Sequence, residues 1–342
     1  MKKIILATLA AASLVACAQE NIVASSNGES IAFNNSFVDN TTKSIDPSVT
    51  TENLRGFLVY GTTEGNHDGA ATINIFEGVK VEGSKATAWA YAPEYTQYWI
   101  TGNTYNFAAV VNSNNPADLD PALVECDDNG MPETLTYTAD GETDLLYARS
   151  AQYTGLTSGN PKVAFTFDHL LSKVKFSFKN TTPNTNNASS YTYRVSNIVM
   201  TGTPSDATCA LGVNTYTWTP TATATDATTN YGNIVDTDAD TDAVKMGPET
   251  TKYSKFENLV IPGTYSVNIT CQIELLISKV VDGQTIYQVA DVINYNNDTV
   301  VTLHQGVAYN FVLTGKLGEA IEFTVTKVND WNDPAEVPTP AM

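Results

Sequence analysis

The chain has 342 residues, with 37 acidic side chains against 18 basic ones and a formal net charge of −19. A polyanion of this kind repels the phosphate backbone, and with no basic patch or stacking motif, nucleic acid is excluded as a partner. Thr, Asn, Tyr and Ser are abundant, alternating stretches recur and no long helical pattern is visible, so the composition is that of an all-β protein.

The N-terminus reads as a leader. Lys2 and Lys3 precede the apolar run "IILATLAAASLVA", residues 4–16. That run is too short to span a hydrocarbon core, which takes about 20 residues, and it has the form of a secretory signal. It ends in Leu14-Val15-Ala16-Cys17. This matches a bacterial lipobox: an aliphatic residue, a variable one, a small one, then Cys. Residues 1–16 are therefore expected to be removed and Cys17 to be acylated. Two or three acyl chains anchor stably where one does not. The expected location is the outer membrane. Residues 17–28 are polar and read as a tether.

Next comes "SIAFNNSF" (30–37), a short strand candidate, then the polar, Pro-containing stretch 38–53, read as a loop. From Leu54 strands follow quickly: "LRGFLVYG", "ATINIFEGVKVEG", "ATAWAYAP" and "TYNFAAVVN". An Asn-, Asp- and Pro-rich region (112–134) reads as irregular, and "TLTYTA" and "TDLLYARS" follow it. In "PKVAFTFDHLLSKVKFSFKN" (161–180), Val163, Phe165 and Phe167 alternate with polar or small residues, as do Val174, Phe176 and Phe178. These are half-buried strands on either side of a bend. The bend divides the body into two expected domains, 29–168 and 169–342.

In the second half, 219–243 is low in complexity and reads as a long exposed loop. In "TYSVNITCQIEL" (264–275), Tyr265, Val267, Ile269, Cys271, Ile273 and Leu275 are expected to face inward. The tail after Trp331 holds Pro334, Pro338 and Pro340 and cannot run far as a central strand. Many short strands with polar turns point to β-sandwiches, two of them in tandem at this length.

Chemistry is sparse. His67, His169 and His304 are far apart, and no HExxH, CxxC, GxSxG, P-loop or GxGxxG pattern occurs. His169 is read as a structural residue, capping or hydrogen-bonding at the bend, rather than as half of a catalytic pair with Asp168. "DTDADTDA" (236–243) lacks the Gly and Glu of a calcium loop. No catalytic residue, metal ligand or cofactor is assigned, and no enzyme activity is expected. Beyond Cys17, the odd set Cys126, Cys209 and Cys271 is no disulfide framework. Cys271 reads as a buried thiol, with a Cys209–Cys271 bridge as the alternative.

Taken in order, the lipobox at Cys17, "ESIAF", "NTTKSID" leading into "LRGFLVYG", "ATAWAYAPEYTQYWITGNTYNFAAVVN", "VAFTFDHLLSKVKFSFKN", "YNFVLTGKL" and "IEFTVTKVNDW" form a pattern that resembles the fimbrillin family of surface lipoproteins. The resemblance implies two transthyretin-like β-sandwich domains and a role as a fimbrial subunit in adhesion. It implies partners of three kinds: other fimbrial subunits, a surface trypsin-like protease, and the outer membrane through lipid. In the family the protease cuts in the loop after the first strand. That strand, a plug, leaves, and a strand of a neighbouring subunit fills the groove. Removal of a central strand exposes unpaired N–H and C=O groups beside an apolar trough, which an incoming strand satisfies. Here the plug corresponds to 29–37, with Ile31 and Phe33 as inward anchors. The cut corresponds to Lys43, with Arg55 as the runner-up. The family's usual Arg is absent from the loop, and Arg55 begins a strand, where access is poor. The role as shaft, tip or anchor subunit is open. The competing reading is a surface glycan-binding lipoprotein, in which Trp89, Tyr91, Tyr95, Tyr98 and Trp99 stack on sugar rings.

Overall fold

The computed structural model describes residues 26–34, 37–38, 49–65, 71–185, 190–212, 215–237, 239–330 and 333–337. The described chain is all-β, apart from three short 3-10 turns such as Pro116–Asp118 and Pro121–Leu123 in the region read as irregular.

The first half is built on an eight-stranded sheet. Its order is Phe37–Val38, Thr166–His169, Leu146–Arg149, Thr104–Val111, Gly56–Glu64, Thr72–Ser84 and Thr87–Ala90, with Tyr153–Thr154 paired onto Thr104–Val111. Gly56–Glu64 and Thr104–Val111 lie at its middle, and Phe57, Leu58, Val59 and Tyr60 are all buried. A strand buried on both faces loses its alternation and reads as a continuous apolar run, as "FLVY" does. Gly61 has no room for more: a Cβ there would stand 2.8 Å from the Phe107 ring.

A smaller sheet packs on this half in the order Tyr216–Pro220, Asp206–Leu211, Pro132–Thr138, Val124–Cys126. Two of its strands come from far along the chain. Ala207, Cys209 and Leu211 belong to the first hydrophobic core, together with Leu135 and Tyr137. Trp218 Nε1 donates to the Leu170 carbonyl at 3.0 Å, and the Tyr216 hydroxyl donates to Asp168 at 2.9 Å.

The second half is a sandwich. Ile234–Val235, Thr250–Val260, Ser172–Asn180, Ala308–Gly315, Glu322–Asp330 and Asp333–Val337 form a six-stranded sheet in that order. Asp226–Gly232, Tyr191–Pro204, Gly263–Val281 and Gln284–Leu303 form the facing four-stranded sheet. Both contribute to a second core that includes Val174, Phe176, Phe178, Val267, Ile269 and Phe311. Of the tail, the described residues Asp333–Val337 pair on Glu322–Asp330 as an edge strand.

Two expectations are corrected. Residues 219–243 are a loop only in part. Asp226–Gly232 pairs with Tyr191–Pro204, Ile234–Val235 pairs with Thr250–Val260, and Tyr231 is fully buried. Thr is a good strand former on a half-buried surface, so the Thr-rich "DATT" can edge a sheet. The inward set of Gly263–Val281 also breaks at its end. Leu276 is buried and Leu275 only half-buried, because a register shift between them turns the next side chain inward. Cys271 is a buried free thiol, as read from its strand, and the alternative bridge is absent because Cys209 sits in the other core.

Candidate functional site

The segment 26–38 runs from one sheet to another. Ser26–Ser30 pairs antiparallel with Tyr98–Ile100, so a strand already begins inside the stretch 17–28 read as a tether. Ile31 N–H then donates to the Gln97 carbonyl at 2.8 Å. Past that point the chain changes partner. Val163 N–H donates to the Ala32 carbonyl and Asn34 N–H to the Val163 carbonyl, each at 2.8 Å. Phe37–Val38 continues parallel to Thr166–Phe167. Ser26–Ser30 thus forms a two-stranded sheet with Tyr98–Ile100, and only Phe37–Val38 is an edge strand of the large sheet, which corrects the expected central position. Each of these two short ladders is easier to break than the double pairing of a central strand.

Both expected anchors are buried, Ile31 at 1% and Phe33 at 3% exposure. The Phe33 ring packs between Phe57, Phe76, Tyr91 and Phe165, with centroids 5.8 to 6.1 Å away. The Tyr91 hydroxyl donates to the Ile31 carbonyl at 2.6 Å. Sequence spacing alone does not reveal a further contact. The Glu29 carboxylate accepts from Gly159 N–H at 2.8 Å, from Asn160 N–H at 2.9 Å and from Asn160 Nδ2 at 2.6 Å. The Asn160 and Gly159 backbone N–H groups, with the Asn160 amide, hold the Glu29 carboxyl below its ordinary value of 4.5.

After residues 39–48 the chain resumes on a separate anchor. Val49 N–H donates to Asp144 Oδ2 at 2.7 Å, and His169 Nδ1 lies 2.9 Å from the same oxygen. Asp144 and His169 are buried, as are Val49 and Leu54. His169 thus takes the structural role expected at the bend, with Asp144 as its partner instead of Asp168. Arg55 follows directly. Its carbonyl accepts from Gly83 N–H at 3.0 Å, and its guanidinium donates to the Glu52 and Leu54 carbonyls. Cys17, Lys43 and His67 lie outside the described residues.

The aromatic set proposed for sugar stacking is split. Trp89 and Trp99 are core residues, packed at 5.1 Å on Phe57 and 4.6 Å on Tyr105. Only Tyr95 and Tyr98 are exposed. Among the described residues no group of three or more His, Cys, Asp or Glu could hold a metal ion.

The fimbrillin-like family model matches residues 41–331. The chain belongs to the fimbrillin-like family. No curated protein sequence matches it. Among solved structures, a fimbrial protein from Bacteroides vulgatus is similar at 14% identity and a TM-score of 0.60, over 87% of this chain and 99% of that one. Candidate cell adhesion proteins from Bacteroides ovatus and Bacteroides uniformis are similar at 15% and 16% identity, with TM-scores of 0.46 and 0.45. Each covers 88% of this chain, and 96% and 98% of those chains respectively. At such identity the first likeness shows the shared fold, and the other two carry no argument.

In this fimbrillin-like chain, Ile31 and Phe33 of the segment 26–38 come together with Tyr91, Phe165 and the Gly159–Asn160 turn. The Asp144 anchor and the Glu29 contacts join residues more than 90 positions apart. The only local trace of the latter is the turn-forming "TSGN".

Proposed function

We propose that this chain is a fimbrial subunit exported as a lipoprotein acylated at Cys17 and held at the outer membrane. A surface trypsin-like protease cuts after Lys43. The strand bearing Ile31 and Phe33 then leaves, and a strand of another fimbrial subunit takes its place.

The observation that carries this reading is the pair of independent anchors on either side of residues 39–48. Upstream, 26–38 is held by two edge ladders and the Phe33 cluster. Downstream, Val49 is tied to buried Asp144. A cut between the anchors frees the first segment and leaves the second in place. A cut after Arg55 would instead detach Val49 and Leu54 from the core and break the Gly83–Arg55 pair. A protease needs a backbone it can draw out locally, and the paired Arg55 carbonyl opposes that.

Limited trypsin treatment of the folded precursor is the test. Cleavage is expected after Lys43, release of the N-terminal piece should follow, and SDS-resistant oligomers should then form. Lys43→Gln should block all three, and Arg55→Gln should leave them intact. Cleavage lost only with Arg55→Gln would place the cut elsewhere. Cut protein that remains monomeric would remove the polymerising role.

A further inference from the structure

The Glu29 contacts belong to a site that outlasts the strand occupying it. Two consecutive backbone N–H groups, those of Gly159 and Asn160, each meet one oxygen of the carboxylate, and the Asn160 amide adds a third donor. Gly159 has φ +71°, a left-handed conformation that glycine adopts without strain and that turns successive N–H groups toward one point.

The turn is fixed by its own bonds. Leu156 N–H donates to Asn160 Oδ1 at 2.7 Å, and Asn160 Nδ2 also donates to the Leu156 carbonyl at 3.1 Å. It is also tied to the body. Gly102 N–H donates to the Gly155 carbonyl and Gly155 N–H to the Asn103 carbonyl, each at 2.8 Å. None of these bonds involves residues 26–38. When the strand departs, an anion nest of three aimed donors remains at one end of the apolar trough.

We propose that this nest is a specificity site for the incoming donor strand, which it selects for an Asp or Glu two residues before the apolar side chain that fills the Ile31 position. The proposal rests on the removable-strand reading above. Water can hydrate the vacated donors, so the nest need not be refilled for stability. It discriminates among strands because a carboxylate makes charge-assisted bonds there that a neutral side chain cannot match. The apolar pockets set register at Ile31 and Phe33, and the nest adds a polar check at a fixed offset from them.

The test uses the full chain after protease cleavage and removal of its N-terminal piece. The probe is a fluorescent synthetic peptide of residues 24–38, with or without Glu29→Gln. The unaltered peptide is expected to bind about tenfold more tightly than the altered one at neutral pH. With Asn160→Ala protein that ratio should fall toward one, while the altered peptide binds both proteins alike. Equal affinity of the two peptides for the unaltered protein would overturn the nest and leave the removable strand standing. Binding of neither peptide would overturn both.

Discussion

Glu257 stands between Lys173 and Lys175, with N–O distances of 3.4 and 2.5 Å. Lys173 is 5% exposed, a rare position for an ammonium. Burial pushes the Glu257 carboxyl up, but the two ammonium groups outweigh it and hold it below its ordinary value of 4.5. Glu257→Gln leaves two like charges without a counter-ion, and we expect a loss of about 3 kcal/mol in denaturant unfolding. Glu257 and Glu29 both have carboxyls lowered in the folded state. Their contributions are full above about pH 4.5 and are lost as pH falls through the folded values. Acid should therefore loosen the 26–38 segment, seen as a fall in amide protection there, relative to the intrinsic exchange rate, below about pH 4.5. The thiols give a third check. Burial raises Cys209 and Cys271 to about 12, whereas Cys126 is exposed. Thiol titration of folded protein lacking residues 1–17 should find Cys126 alone, and all three after denaturation.

At the scale of elements, the 26–38 strand is held chiefly by Phe33. Phe33→Ala should cost about 3 kcal/mol. Since the segment pairs through two short ladders, the loss should appear as escape of the cut segment rather than as global unfolding. Its dissociation rate after cleavage should rise by about a hundredfold. The alternation in "SIAF", "VAFTF" and "VKFSF" made the inward faces of Ile31, Phe33, Phe165, Phe167 and Phe176 legible, because one-sided burial leaves a period of two. The first stretch forms only the Phe33–Val163 bridge between Ser26–Ser30 and Phe37–Val38. The Gly159–Asn160 nest, the Asp144–Val49 tie and the Lys–Glu–Lys group were not legible. Each joins segments distant in sequence through polar atoms, and no local pattern records such a meeting. The misread Thr-rich stretch 219–243 failed for another reason. Composition marked it as soluble, while its buried Tyr231 and its partner strand Tyr191–Pro204 decided its structure.

At the scale of the molecule, we propose two domains divided at the bend; the expected point 168/169 falls within Thr166–His169, and along the chain the first core's Leu170 and Leu171 give way to the second core's Val174. The hairpin 206–220 reaches back across the bend to pair with Pro132–Thr138. Attachment to the membrane should depend on the lipid alone. In cell fractionation, Cys17→Ala should move the protein from the membrane to the soluble fraction, and equal retention would remove the anchor. The parallel pairings also fix a timetable. Phe33 bridges to Val163, about 130 residues later, and Lys173 pairs with Ala308 at a similar remove. Contacts this remote carry the entropy of closing a long loop and form slowly, in milliseconds to seconds. Because a ribosome makes a chain from its N-terminus, the 26–38 segment exists long before the strand that receives it. The segment proposed to leave is made early and seated late, and until Thr166–His169 is in place it has only half of its binding site.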